Sequence, residues 1–287
     1  MPVSADSAPF RVAALPFDVR PGEVEHNAAV ARAGLEEAAA ARARLLLLPE
    51  KWTTSFLPSY SDDLLVRSAA AVAELHGAAR DLGVHVLGSV ADPEPGRERP
   101  LNRVVVLGGE RVLRPWAKRV LFSPTGEGRQ VARGDAAPRA FDLDGVGRVL
   151  ALVCYELRFP ELTREAFLQD CDLLCVPAQW PTPRAAAWEL LLRARACEDQ
   201  VFVLGCNRAG RAELEPGRPL EFPGSAALCD PFGDEVARTD DGMLLVAELD
   251  PARRAAAQRA LPLRRDLERA GLAPGRSASL GAASGEG

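Results

Sequence analysis

Short apolar runs recur along this chain, each too short for a helix and each followed by a stretch long enough to form one. "FRVAALPF" (10–17) is the first, and "PGEVEHNAAVARAGLEEAAAARAR" behind it is alanine-rich and helical, with Pro21 near its start. "LLLLPE" (45–50) is a buried strand stopped by Pro49, a helical stretch covers about 61–82, and "GVHVLGSVA" is a further strand. "LNRVVVLGGERVLRPWAK" (101–118) has the pattern of a hairpin with Gly108 and Gly109 at its turn. "RVLALVC", "DLLCVPA" and "VFVLGCN" are strands, with helices expected over "PELTREAFLQD" and "PRAAAWELLLRARACEDQ", and short β segments near 225–229 and 243–249. Strands that alternate with helices, mixed with hairpins, favour a single α/β domain built on a mixed sheet.

Three of these runs end on a chemically active side chain. Glu50 closes the second strand, Lys118 lies just beyond the hairpin, and Cys154 closes "RVLALVC". In α/β sheets the space beyond the carboxyl ends of the strands is where ligands bind. Each residue alone has a plainer reading: Glu50 as a solvated loop carboxylate, Lys118 as a surface charge beside Arg119, Cys154 as a small core residue. Their conjunction is what points to chemistry. A thiol becomes a nucleophile once a base or cation helps it lose its proton. Histidine is the familiar helper, but His26, His76 and His85 all precede Cys154 by more than sixty residues. Glu50 is the remaining base, and Lys118 with the backbone N–H of Tyr155 could hold an oxyanion.

Composition narrows the classes further. A net charge of -5 argues against a broad nucleic-acid footprint. No apolar run is long enough for a spanning helix, and "MPVSADSAPFRVAALPF" lacks the charged start and apolar core of a signal peptide. A cytoplasmic location is therefore expected. The six cysteines (Cys154, Cys171, Cys175, Cys197, Cys206 and Cys229) are scattered through the second half, as in a reduced chain rather than a disulfide framework. Cys171 and Cys175 form C-x3-C without a partnering pair or histidine, so no metal site is expected; the five besides Cys154 are taken as packing residues. Nearly every basic residue is Arg, and Lys51 and Lys118 are the only lysines, which marks both as places where a compact ammonium is needed. No histidine follows Cys154 and no G-x-S-x-G occurs, which disfavours papain-like and serine hydrolase schemes.

"LLLLPE", "WAKRVLF" and "VCYELRFPEL", in that order, resemble the motifs of the nitrilase superfamily of carbon–nitrogen hydrolases, as do 172–210 and "GSAALCDPFGD" (224–234). The resemblance spans roughly residues 10 to 250. It implies a four-layer α-β-β-α sandwich and cofactor-free hydrolysis of a non-peptide C–N bond. Glu50 would be the general base, Lys118 the oxyanion-stabilising cation and Cys154 the nucleophile, with Glu127 in "SPTGEG" as a second glutamate that orients base and substrate. The segment 177–200 is most similar to omega-amidase-like amidases, which act on small dicarboxylate monoamides. On that resemblance Gln179 and Trp180 line the acyl pocket and Arg184 pairs with a substrate carboxylate. Three positions depart from the group's pattern: Val120, Glu156 and Gln179, all expected around the pocket.

The expectations are accordingly a hydrolase domain over 10–265, a flexible N-terminus over 1–9 and a disordered Gly/Ser-rich tail over 266–287. The expected partners are a small amide and further copies of the chain in a homodimer or larger oligomer, with no nucleic acid and no membrane. An N-carbamoyl-amine hydrolase, a nitrilase using the same three residues, and a catalytically silent binding member of the fold stand as alternatives.

Overall fold

The computed structural model of the chain describes residues 4, 7–215 and 217–272. The first half runs β1 (Phe10–Ala14), α1 (Val24–Ala40), β2 (Ala43–Leu47), α2 (Asp62–Leu82), β3 (His85–Asp92) and β4 (Leu101–Leu107). The second continues through β5 (Phe141–Leu143), β6 (Gly147–Ala151), the short helices α3 (Pro160–Thr163) and α4 (Glu165–Leu168), and β7 (Leu173–Ala178). Then come α5 (Ala185–Asp199), β8 (Phe202–Asn207), β9 (Ala209–Glu215), β10 (Arg218–Pro223), β11 (Ala226–Cys229), β12 (Glu235–Thr239), β13 (Leu245–Leu249), α6 (Pro251–Ala260) and α7 (Leu263–Arg269).

Two sheets carry the fold. One has the order β13-β1-β2-β3-β4, the other β12-β11-β8-β7-β6-β5, and a separate β9–β10 hairpin stands beside them. At the centre of each sheet three strands run parallel, β1-β2-β3 and β6-β7-β8, and antiparallel strands flank them. The period-2 alternation of a strand decides what each face meets. Val12, Ala14, Leu45 and Leu47 point into a core shared with Val149, Leu150 and Leu174 of the second sheet. Their neighbours Ala13, Leu46 and Leu48 face the other way, onto Leu35 of α1 and Leu75 and Ala79 of α2. On the far side α5 lies against β8: a Cβ at Gly205 would come within 2.7 Å of both Leu192 and Trp188. Gly34 plays the same part for α1, where a Cβ would stand 2.3 Å from Leu15. The layers are therefore α-β-β-α, as the resemblance implies.

Several local expectations are corrected. The hairpin over 101–118 has only one full strand. Its return leg touches β4 through isolated bridges, Val106 with Leu113 and Arg103 with Ala117. Pro115 has no N–H to offer between them, so no continuous ladder forms. The helix expected over 160–170 is broken into α3 and α4. Cys197 is exposed rather than packed. Helix α7 passes the expected boundary at 265, and α6 before it starts where Asp250 accepts the Ala252 N–H at 3.0 Å with Pro251 in the first turn. Of the expected flexible segments, residues 1–3, 5–6 and 273–287 lie outside the described residues. No described helix is long and apolar enough to cross a membrane.

Candidate active site

Glu50 stands in the turn that follows β2. That turn is tight: Lys51 and Ser55 both have positive φ, 46° and 55°. Such a backbone costs about 1–3 kcal/mol per residue outside glycine and persists only where its surroundings hold it. Here Ser89 Oγ accepts the Lys51 N–H at 2.9 Å, the Ser55 N–H returns to the Lys51 carbonyl at 2.8 Å, and Gln179 Nε2 donates to the Glu50 carbonyl at 2.7 Å. Lys118 is placed by the bridged return leg, its N–H on the Asn102 carbonyl at 2.8 Å. Cys154 follows β6 with φ 53° and opens a 3₁₀ turn, Cys154–Arg158. The first N–H groups of such a turn have no acceptor within it, and that of Tyr155 is one of them.

The side chains from these distant stretches meet. Lys118 Nζ is 2.9 Å from Glu50 Oε1 and 2.9 Å from Glu127 Oε2, and all three residues are fully buried. Asn102 joins the two carboxylates from below, its Nδ2 at 2.7 Å from Glu50 Oε1 and 3.2 Å from Glu127 Oε1. Glu127 Oε2 also accepts the Phe122 N–H at 2.7 Å. The second oxygen of Glu50, Oε2, is buried with no such partner. Cys154 shares this environment: it is buried, it borders a cavity together with Lys118, and the charges of Glu50 and Lys118 both act on its thiol.

The electrostatics follow from burial and proximity. Burial pushes the Cys154 thiol well above its usual range and the charge of Glu50 adds to this, while Lys118 opposes it. Burial and the Glu50 charge thus both favour the thiol over the thiolate. For Lys118, burial alone would favour the free amine, but the carboxylates of Glu127 and Glu50 prevail and hold the ammonium well above the usual lysine range. Burial likewise acts to raise Glu127, yet the Lys118 and Lys51 charges and the Phe122 N–H bring it below the usual carboxylate range. A carboxylate with one unengaged oxygen, a thiol and a fixed ammonium form a set able to carry out nucleophilic acyl transfer.

Cys154 borders two small cavities, of ≈ 40 Å³ and ≈ 50 Å³. Phe122, Gln179, Pro181 and Arg184 line both; Tyr155, Arg158 and Trp180 line the first, and Phe56, Lys118 and Phe222 the second. Arg184 lies over the Phe122 ring at 5.0 Å, and Arg158 over Trp180 at 4.8 Å. Trp180 is 3% exposed and its indole N–H has no hydrogen-bond partner. A larger groove of ≈ 530 Å³ runs between α1 and α2, and none of the residues named for the site borders it. No group of His, Cys, Asp and Glu among the described residues could hold a metal ion.

The expected site residues are thereby brought together: Glu50, Lys118, Glu127 and Cys154 in one buried cluster, with Tyr155, Gln179, Trp180 and Arg184 around the opening. Two of the departures fall elsewhere than expected. Neither Val120 nor Glu156 lines the cavities. Glu156 instead sits behind them and takes four N–H groups: Arg119 (2.7 Å) and Val120 (3.3 Å) on Oε1, Val153 (2.9 Å) and the Trp116 indole (3.0 Å) on Oε2. It clamps the Lys118 segment to the Cys154 turn. Asn102 and Arg158 were not foreseen. A signal existed for the first, since a polar residue inside an apolar strand needs a buried partner; Arg158 is four residues beyond Cys154 on the same turn.

With this geometry in place, comparison with known proteins decides the kinship. The carbon-nitrogen hydrolase profile matches residues 11–259. The chain belongs to the carbon–nitrogen hydrolase family. Among curated relatives of this hydrolase, 2-oxoglutaramate amidase of Bacillus subtilis (strain 168) is 31% identical over 265 residues, covering 91% of this chain and 98% of the relative. Omega-amidase YafV of Yersinia enterocolitica is 32% identical, over 72% of this chain and 75% of its own. Among solved structures, a cysteine-to-alanine variant of the amidase from Nesterenkonia sp. AN1 in complex with butyramide superposes with a TM-score of 0.74 at 26% identity, covering 90% of this chain and 96% of that one. Another variant of that amidase carries covalent addition of the acetamide moiety of fluoroacetamide at its active-site cysteine. The hydrolase described here is thus an amidase of this family, omega-amidase-like in its kinship.

Proposed function

We propose that this hydrolase releases ammonia from a small linear amide that carries a carboxylate at its far end, through a thioester on Cys154. The observation that carries the reading is the cluster itself: a buried thiol beside a carboxylate with one unengaged oxygen, with an ammonium 2.9 Å from that carboxylate. Glu50 Oε2 takes the thiol proton as Sγ attacks the amide carbonyl. Lys118 Nζ and the Tyr155 N–H hold the oxyanion. The C–N bond breaks as Glu50 returns the proton to the departing nitrogen, which leaves as ammonia. Water then loses a proton to Glu50 and attacks the thioester; the C–S bond breaks, giving the free acid and the thiol. The adduct on the neighbour's active-site cysteine supports the choice of nucleophile.

The far carboxylate is argued from the mouth of the site. Arg158 and Arg184 both border the first cavity, each resting on an aromatic face, and a guanidinium so placed suits a carboxylate. The name of the Bacillus subtilis relative, 2-oxoglutaramate amidase, agrees with such a substrate. A second reading, an uncharged aliphatic amide, is favoured by the neighbour's butyramide complex and by the aromatic walls. Turnover of succinamate and of butyramide separates them. The carboxylate reading expects succinamate to be preferred, and expects Arg158→Ala and Arg184→Ala each to raise its KM tenfold or more while leaving butyramide nearly unaffected. Preference for butyramide, insensitive to both arginines, overturns it. Cys154→Ala should abolish turnover of either amide with circular dichroism unchanged, and the wild-type acyl adduct should be trapped on Cys154 by mass spectrometry.

A further inference from the structure

The chemistry above makes no use of Lys51, one of only two lysines in the chain. Its side chain is fully buried, one residue from the base. Nζ donates to the Tyr60 hydroxyl at 3.1 Å, lies 3.7 Å from the centre of the Phe56 ring, and stands 3.9 Å from Glu127 Oε1. The Tyr60 hydroxyl in turn donates to the Ser55 carbonyl at 3.0 Å. Lys51 borders neither cavity, so it is not placed to touch a substrate.

The buried groups therefore pair two by two: Glu50 and Glu127 against Lys118 and Lys51. One ammonium alone cannot neutralise two carboxylates that share it, and carboxylates crowded at one site retain a proton between them unless further positive charge is supplied. We propose that Lys51 is a positioning residue that supplies this second charge, keeping Glu127 bound to Lys118 as a carboxylate and so holding Lys118 and Glu50 in place for the proton transfer from Cys154. The other ionisable groups around it fit this assignment. Tyr60 accepts from Lys51; Lys118 and Cys154 lie across Glu127 and Glu50. Glu156, behind Lys118, has four N–H donors of its own, and Arg208 lies beyond Ser55 and Gln179, paired with Asp18. The depressed carboxyl of Glu127, to which Lys51 contributes, is consistent with this.

The inference rests on the amidase reading, and its test separates the two. In the purified full chain, kcat/KM for succinamate is followed against pH for wild type, Lys51→Met, Lys51→Gln and Lys51→Arg. In parallel the rate of Cys154 alkylation by iodoacetamide is followed by mass spectrometry, a readout that needs no turnover. An opposite charge at this range moves a carboxylate by about 1–3 pH units. Loss of the ammonium should therefore shift the acid limb of both profiles upwards by about that much in the Met and Gln variants, with activity recovering above the limb. Arg, which keeps the charge, should leave the limb within a few tenths of a unit even where its size lowers the rate. Gln keeps the polar contacts, so it serves as the test if Met does not fold. A merely structural role would lower the rate equally at every pH. An unmoved limb in Lys51→Gln, in both readouts, overturns the proposal. If wild type hydrolyses no amide yet the alkylation limb still moves, the amidase reading fails and the role of Lys51 stands.

Discussion

Glu156→Gln is the substitution whose outcome the structure specifies most fully. The carboxylate accepts four N–H groups, two on each oxygen, at 2.7–3.3 Å. Glutamine keeps one oxygen and turns the other into an NH₂ group, which faces two of the four donors with donors of its own. Each buried donor left without an acceptor costs about 1–3 kcal/mol. The two together cost roughly 2–6 kcal/mol. Part of this is regained, because burial already works against the charged form of Glu156 and raises its carboxyl. A net loss of about 2–3 kcal/mol remains, a substantial share of the roughly 5–15 kcal/mol that holds a folded domain together. The lost contacts are also those that fix Lys118 relative to Cys154, so kcat/KM should fall about a hundredfold, the scale of an ångström's misplacement. Urea unfolding at pH 7.5, with the slope checked for constancy, measures the first quantity, and amide turnover below the transition measures the second. A midpoint unchanged from wild type, with turnover within twofold, would refute the clamp.

Two further outcomes follow. Lys118→Arg should lower kcat by a hundredfold or more with the fold retained, because a single nitrogen now meets both Glu50 and Glu127 at 2.9 Å in a buried site, a geometry that a longer, planar guanidinium does not reproduce; steady-state kinetics checks it, and near-normal kcat would contradict it. Asp199 is buried, and burial raises its carboxyl to about 7 against the opposing pull of Arg164. A carboxyl raised by folding contributes its full stability below its unfolded value near 4 and loses it as pH rises to about 7, a change of about 4 kcal/mol. Asp199→Asn should flatten that part of the stability profile, measured by urea midpoints from pH 4 to 8, and an unchanged slope would contradict the assignment.

Much of this site was legible before any coordinates because its reacting groups follow directly on apolar strands. Glu50 ends "LLLLPE" and Cys154 ends "RVLALVC", and strand ends of an α/β sheet are where such groups gather. What periodicity could not convey is pairing across the chain. Asn102 reaches back 52 residues to Glu50, and Arg208 reaches 153 residues to Ser55. Glu156 reads as a pocket residue until its four donors are seen, three of them from residues 116–120. The return leg of the first hairpin was misjudged for a local reason, Pro115. Helices α6 and α7 passed unnoticed, though Asp250-Pro251 is a start signal in plain view.

The two central sheets contribute unequally to the chemistry. Glu50 follows a strand of one, Cys154 a strand of the other, and Lys118 comes from the segment bridged to the first. Until both halves of the polypeptide have closed on each other, Glu50 does not stand near Cys154, and a chain that has emerged only as far as β4 contains no cysteine at all. Under the proposed mechanism turnover is thereby a readout of completed assembly, because an unfinished molecule holds no complete set of Glu50, Lys118 and Cys154.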